Sequence, residues 1–281
     1  MRALSSLALK LYDYLVVYLG LLWLGFLCLS FSLATTLIYI LLPKRWRQNL
    51  WRAAIMLLFR LFLGSLKLTR RCHFELEALD ALRNEPALII APNHPSLLDA
   101  VMILSRLPNV ACVMKADLMN NIFLGIGARL AGYIRNEPLR KMVMLARQDL
   151  QGGGQLLLFP EGTRTIRDPI NPLTGSIGLI SHHAQVPVQT VLIETDTRYL
   201  SKGWSLFRKP QLPLHFRVRL GRRFEPPQQT HAFMAELEHY FSHDLVQGSA
   251  FYPANALPPV MDMILKAKRV DTPLMPSSTP A

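Results

Sequence analysis

From Tyr14 to Leu42 the chain carries no charged side chain, and a helix over that stretch, rising about 1.5 Å per residue, is roughly 43 Å long. A bilayer core is about 30 Å thick, so this segment alone predicts contact with lipid. A cleavable signal peptide has a shorter apolar region followed by small residues, whereas Pro43-Lys44-Arg45-Trp46-Arg47 follows here. Gly20 and Gly25 leave open a single span or a re-entrant pair. Lys44, Arg45, Arg47 and Arg52 outnumber Arg2 and Lys10 on the other flank, which puts the bulk of the chain in the cytoplasm, at the inner membrane, by the positive-inside bias. Between Trp46 and Leu68, cations and tryptophans beside a long apolar face fit either an interfacial helix or one packed on the domain that follows.

With 51% hydrophobic and 18% charged residues, the chain is too apolar to be disordered. Its net charge of +12 calls for a negatively charged partner, anionic lipid or nucleic acid. No nucleic-acid recognition module accompanies the charge, which leaves membrane lipid. Cys28, Cys72 and Cys112 are far apart and show no metal-ligand spacing, so three buried reduced thiols are expected, with no disulfide and no metal site.

After Arg71, apolar runs at Ala87–Ala91, Val110–Met114, Gln155–Phe159 and Val186–Ile193, with short or later ones at Tyr133–Ile134 and Leu214–Leu220, read as strands. Helices are expected at Ser96–Leu107, Asn121–Ala131, from Pro138 to Gly152, at Ser176–His183 and at Gln228–Val246. Strands alternating with helices predict an α/β fold, a mainly parallel sheet flanked by helices behind the N-terminal hydrophobic membrane-anchoring helical segment.

Two polar clusters follow apolar strands. In Asn93-His94-Pro95-Ser96-Leu97-Leu98-Asp99, Ser96 and Asp99 form an ordinary capping box. The same residues can also make a general base if one Asp99 oxygen bonds the helix start while the other holds the His94 ring. In Phe159-Pro160-Glu161-Gly162-Thr163-Arg164, the glycine permits a tight turn, the threonine offers a hydroxyl, and the arginine fork suits phosphate. The plain alternative is a surface turn with a solvated Glu–Arg pair.

Together these clusters resemble the signatures N-H-x-x-x-x-D and F-P-E-G-T-R of the lysophospholipid and glycerol-phosphate acyltransferases, complete and in order, over roughly Ala87 to Ile193. The resemblance implies an acyltransferase with His94 and Asp99 as catalytic residues, and Asn93, Glu161, Gly162, Thr163 and Arg164 in substrate binding. Arg135, in Gly132-Tyr133-Ile134-Arg135, and Lys115 resemble further basic positions of the acceptor site. It also implies a lysophospholipid acceptor, 1-acylglycerol-3-phosphate first, no cofactor, and acyl-CoA or acyl carrier protein as donor, the latter a candidate partner. Three departures fall on acceptor-side segments: Ile134 where an acid is common, no lysine before Gly175, and Gln189-Thr190 in place of a second proline. They keep an acceptor with a different head group, such as an amino-acid lyso-lipid, as an alternative. The chain then divides into an anchor with its interfacial helix at 1–70, a catalytic domain at 71–250 and a partly disordered tail at 251–281.

A serine hydrolase lacks its G-x-S-x-G elbow here, and neither H-E-x-x-H nor a phosphate-binding loop occurs. His182-His183 reads as a helix face. The non-enzymatic rival, a basic membrane-surface binding protein, rests on net charge alone.

Overall fold

The computed structural model describes residues 2–39, 44–206, 208–248 and 251; the tail expected to be disordered lies outside the described residues from 252 onward. Helices α1 (Arg2–Tyr39) and α2 (Lys44–Leu68) precede β1 (Cys72–Glu75), a 3-10 helix (Glu77–Leu82) and β2 (Ile89–Pro92). Then follow α3 (Leu98–Leu104), β3 (Val110–Met114), α4 (Ala116–Met119), α5 (Gly125–Leu130), β4 (Ile134–Arg135) and α6 (Leu139–Gln151). The chain closes with β5 (Gln155–Leu157), α7 (Ser176–Ala184), β6 (Val188–Thr195), β7 (Leu214–Phe224) and α8 (Thr230–Gln247).

The strands form one sheet in the order β1-β7-β6-β2-β5-β3-β4. Every pairing is parallel except β6 with β7, so five strands share one direction and β7 and β1 run against them. Strands β2, β5 and β6 are buried nearly throughout, because helices cover both faces of the sheet and leave no side for alternation. At the reversed edge, β1 alternates, with Cys72 and Phe74 inward and His73 and Glu75 outward. Phe74 stacks on Phe216 of β7 with ring centroids 5.8 Å apart. This strand escaped the sequence reading because four residues of mixed polarity carry too short a period to register.

One core cluster lies between the sheet and the N-terminal helices, with α3 among them; the other joins the sheet to α6, α7 and α8. In α6, Met142, Ala146 and Leu150 are the buried stripe, the face expected from their spacing. The helix expected at Asn121–Ala131 is shorter, α5 alone; α4 precedes it outside the expected range, and Asn121 Oδ1 accepts the Phe123 N–H at 2.8 Å in the turn between the two.

Helix α1 runs unbroken through Gly20 and Gly25. Ser6–Ile38, with mean hydropathy 2.1, and Gln48–Leu68, with 1.3, are both long and apolar enough to cross a membrane. The two helices meet the rest of the fold differently. Leu7, Leu11, Leu15, Leu22, Phe26 and Leu33 leave an exposed apolar side along α1. In α2, Trp51, Ile55, Phe59, Phe62 and Leu66 enter the same cluster as the sheet, so this helix is packed on the domain. Arg52, 3% exposed, fixes α2 in place. Its Nε donates to Ala131 O at 2.9 Å, Nη1 to Asn109 Oδ1 at 2.9 Å and Nη2 to Asp149 Oδ1 at 2.6 Å. All three cysteines are buried and unpaired, as their spacing predicts.

Candidate active site

Because β6, β2, β5, β3 and β4 point the same way, their carboxyl ends gather on one edge, where open α/β sheets build sites. Strand β2 delivers Asn93 and His94, β5 leads into Phe159–Arg164, β3 ends beside Lys115 and β4 contains Arg135. Strands lie about 4.8 Å apart, so Lys115 is one strand from the β5 loop and Arg135 a further strand away.

His94 Nδ1 lies 2.8 Å from Asp99 Oδ2, and its ring stacks on Phe159 with centroids 3.8 Å apart. The same Asp99 oxygen accepts the Ser96 N–H at 2.8 Å. The expected division of labour between the two carboxylate oxygens is therefore corrected: Oδ2 serves both the imidazole and the turn, while Oδ1 is buried without a partner among the described residues. Asp99 sits one residue inside α3, which starts at Leu98 and not at the expected Ser96. Asp99 is fully buried. Burial raises its pKa above the ordinary carboxylate value, opposed by the His94 and Ser96 bonds and by the nearby Arg164 charge. With Nδ1 engaged, Nε2 is the imidazole nitrogen left for a substrate.

Asn93 and Glu161, which the resemblance implies in substrate binding, are internal ties in this structure. The Asn93 amide donates to Ile193 O at 2.9 Å and its oxygen accepts Ile193 N–H at 2.7 Å, bolting the end of β2 to β6. Glu161 is 4% exposed. Its Oε1 accepts His94 N–H and Thr165 Oγ1–H, each at 2.8 Å, and its Oε2 accepts Asn171 N–H at 2.9 Å. Burial raises the Glu161 pKa while these donors oppose it. There is no Glu161–Arg164 pair of the kind a plain surface turn would show; Arg164 Nη1 instead donates to Leu200 O at 2.7 Å and Ser201 O at 2.9 Å. Gly162 has φ +66, a conformation glycine adopts without strain, and both it and Thr163 are at least partly accessible on the rim. Lys115 is exposed, and Arg135 Nη2 reaches Asn120 Oδ1 at 3.4 Å on the exposed edge.

Sequence reasoning missed Asn171. Its Oδ1 accepts Ile166 and Arg167 N–H at 3.1 and 3.2 Å, and its Nδ2 donates to Arg164 O at 3.1 Å. It missed Thr165 as well, whose N–H bonds His94 O at 2.7 Å. Neither stands in a motif or a periodic segment, so no pattern marks them. Together they close the β5 loop onto the β2 loop, leaving an imidazole held by a buried carboxylate beside a guanidinium. Such a pair can take a proton from a hydroxyl.

Residues 73–194 match the Acyltransferase family model; this segment is an acyltransferase domain, and the protein is an enzyme of acyl transfer. Among solved structures it is similar to the 1-acyl-sn-glycerophosphate (LPA) acyltransferase PlsC from Thermotoga maritima. That likeness, with a TM-score of 0.58 at 20% identity, covers 87% of this chain and 96% of the other, and it shows a common fold.

Proposed function

We propose that the enzyme transfers a fatty acyl group from a thioester, acyl-CoA or acyl carrier protein, to the hydroxyl of a lysophospholipid, with lysophosphatidic acid the first acceptor. The observation that carries this reading is the His94–Asp99 pair at the carboxyl edge of the sheet, set beside Arg164. In the reaction, His94 Nε2 takes the acceptor's hydroxyl proton as its oxygen attacks the thioester carbonyl carbon. The C–S bond breaks, and the departing thiolate takes the proton back from the imidazolium. Asp99 keeps the ring oriented and balances its transient charge. No acyl group resides on the protein at any step.

Arg164 spends Nη1 on two carbonyls, and its remaining N–H donors suit a phosphate. Lys115 and Arg135, on neighbouring strand ends, add positive charge to the same edge. The exposed apolar side of α1 supports membrane anchoring by the segment 1–70, with α1 lying along the domain, to which Asp13–Arg71 holds it near one end and Ser32–Phe123 near the other. The basic residues after Leu42 put the domain 71–250 on the cytoplasmic side.

The test is to offer purified enzyme lysophosphatidic acid, other lysophospholipids and an amine-headed lyso-lipid with each thioester donor. Acylation of lysophosphatidic acid, lost in His94→Ala and with a strongly raised KM in Arg164→Lys, supports the assignment. Failure of the wild type to acylate lysophosphatidic acid refutes that acceptor.

A further inference from the structure

We infer that the connection between β6 and β7, residues 196–213, is a second membrane contact, a strap that seats the catalytic edge on anionic lipid headgroups. It rests on the membrane placement of α1 proposed above.

One end of the strap is tied to the site. Tyr199 O accepts Ser96 Oγ–H at 2.9 Å, and Leu200 O accepts both Leu97 N–H at 3.1 Å and Arg164 Nη1. Leu200 holds φ +56, a strained conformation for a leucine that its surroundings impose. The other end is tied to the anchor. Lys209 Nζ lies 3.3 Å from Asp13 Oδ2 and 5.0 Å from the centre of the Tyr14 ring, and Arg71 Nη2 donates to Leu212 O at 3.2 Å.

Between these ties Trp204 and Arg208 hold each other. Trp204 Nε1 donates to Arg208 O at 3.0 Å, the Arg208 guanidinium sits 4.6 Å over the indole, and the ring meets Tyr199 edge-on. The tip presents Leu206, 55% exposed, with Lys202 and Arg208 also exposed. Leu97 and Ile166, in the two loops of the site, are also exposed, and the Leu97 N–H is bonded to Leu200 O of the strap. Arg198 is 79% exposed, and its contact with Asp168, itself exposed, is of a kind worth little in water. The strap has four cations and one acid, Asp196, whose carboxylate is engaged by His215 at 2.7 Å.

Single exposed leucines are ordinary on protein surfaces. Here apolar side chains, a tryptophan and cations share one connection, which reaches α1 at Asp13 and the exposed Tyr14. That mixture suits the boundary between headgroups and acyl chains, and the cations suit anionic lipid. An acidic protein would satisfy the cations and leave Leu206, Leu97 and Ile166 without a role.

The experiment places an environment-sensitive fluorophore on Leu206→Cys in the full chain. The buried Cys28, Cys72 and Cys112 stay unlabelled, and Gln228→Cys, exposed ahead of α8, serves as the aqueous control. The protein is reconstituted in vesicles of phosphatidylcholine alone or with phosphatidylglycerol. The 206 label is expected to shift to the blue and to be quenched by nitroxide lipid when phosphatidylglycerol is present. Arg198→Gln/Lys202→Gln/Arg208→Gln should abolish that response and raise KM for a vesicle-borne acceptor by about a hundredfold, since each of the three cations near an anionic surface is worth roughly fivefold. KM for a short-chain monomeric acceptor should not change.

A chain that floats with the vesicles through a salt wash while its 206 label stays as aqueous as the control overturns the strap contact alone. A chain washed off by salt overturns the placement of α1 and the contact with it. A shift seen only when acyl carrier protein is added overturns the lipid contact in favour of an acidic protein.

Discussion

Replacing Glu161 by glutamine changes one atom and separates the two roles open to this residue, ligand contact and internal brace. The carboxylate accepts three donors, two at Oε1 and one at Oε2, and an amide has only one oxygen to offer. With that oxygen turned to His94 and Thr165, the new NH2 group faces the Asn171 N–H, donor against donor. Loss of one charged hydrogen bond with its buried partner left unsatisfied costs about 1.5–3 kcal/mol. The two surviving bonds, now made to a neutral acceptor, are about half as strong. A stability loss of about 3 kcal/mol is therefore expected, read by chemical denaturation in detergent. The His94 backbone hangs from the same oxygen, and a displacement of about 1 Å at a reacting group costs roughly a hundredfold in rate. Glu161→Gln should thus lower kcat strongly with little change in the acceptor KM. A variant with wild-type stability and kcat but a raised acceptor KM refutes the brace and makes Glu161 a substrate contact.

Arg52→Ala leaves Asp149 with the Gln48 amide in place of its guanidinium and should cost about 3 kcal/mol, the lower end for removal of one partner of a buried ion pair, measured by thermal unfolding in detergent; an unchanged melting point refutes the tie. Asp99→Asn should keep the fold and cut kcat by about four orders of magnitude, by loss of ring orientation and charge support; a near wild-type rate returns Asp99 to its turn. Burial raises the Asp99 pKa in the folded chain, so the folded state holds the extra proton. The associated stability is full below the unfolded value of about 4 and is lost as pH rises through the folded value. Relative to Asp99→Asn, wild type should therefore lose melting temperature as pH rises from about 4 toward neutrality, while its kcat rises with ionisation of Asp99; an opposite trend in the difference refutes the shift. Burial pushes the Cys72 and Cys112 thiols up to about 12, so neither should react with maleimide at neutral pH until the chain is denatured, as read by intact mass.

The parts of the fold visible in the sequence were those with dense local signals. Buried strands such as Ile89–Pro92 are apolar throughout, and α6 repeats its stripe at helical spacing. His94 and Asp99, five positions apart, were legible as a pair because turn and helix start bring them together locally. The supports of the pair were not, since Asn171, Leu200 and Ile193 reach the site only through folding. Nor did the residues decide how α2 sits. Its apolar face and its cations fit either a lipid or a protein surface, and Arg52 became an internal tie only once Asn109 and Asp149 were placed opposite it.

The insertion of α2 into the same core as the sheet has a consequence for how such an enzyme can be cut or recombined. A protease acting between Leu68 and Cys72 would not liberate a working soluble domain, because Phe59, Phe62 and Leu66 would leave with the anchor and uncover the underside of the sheet. For the same reason the catalytic unit cannot be moved onto an unrelated anchor by joining at residue 70. The portable module begins at α2.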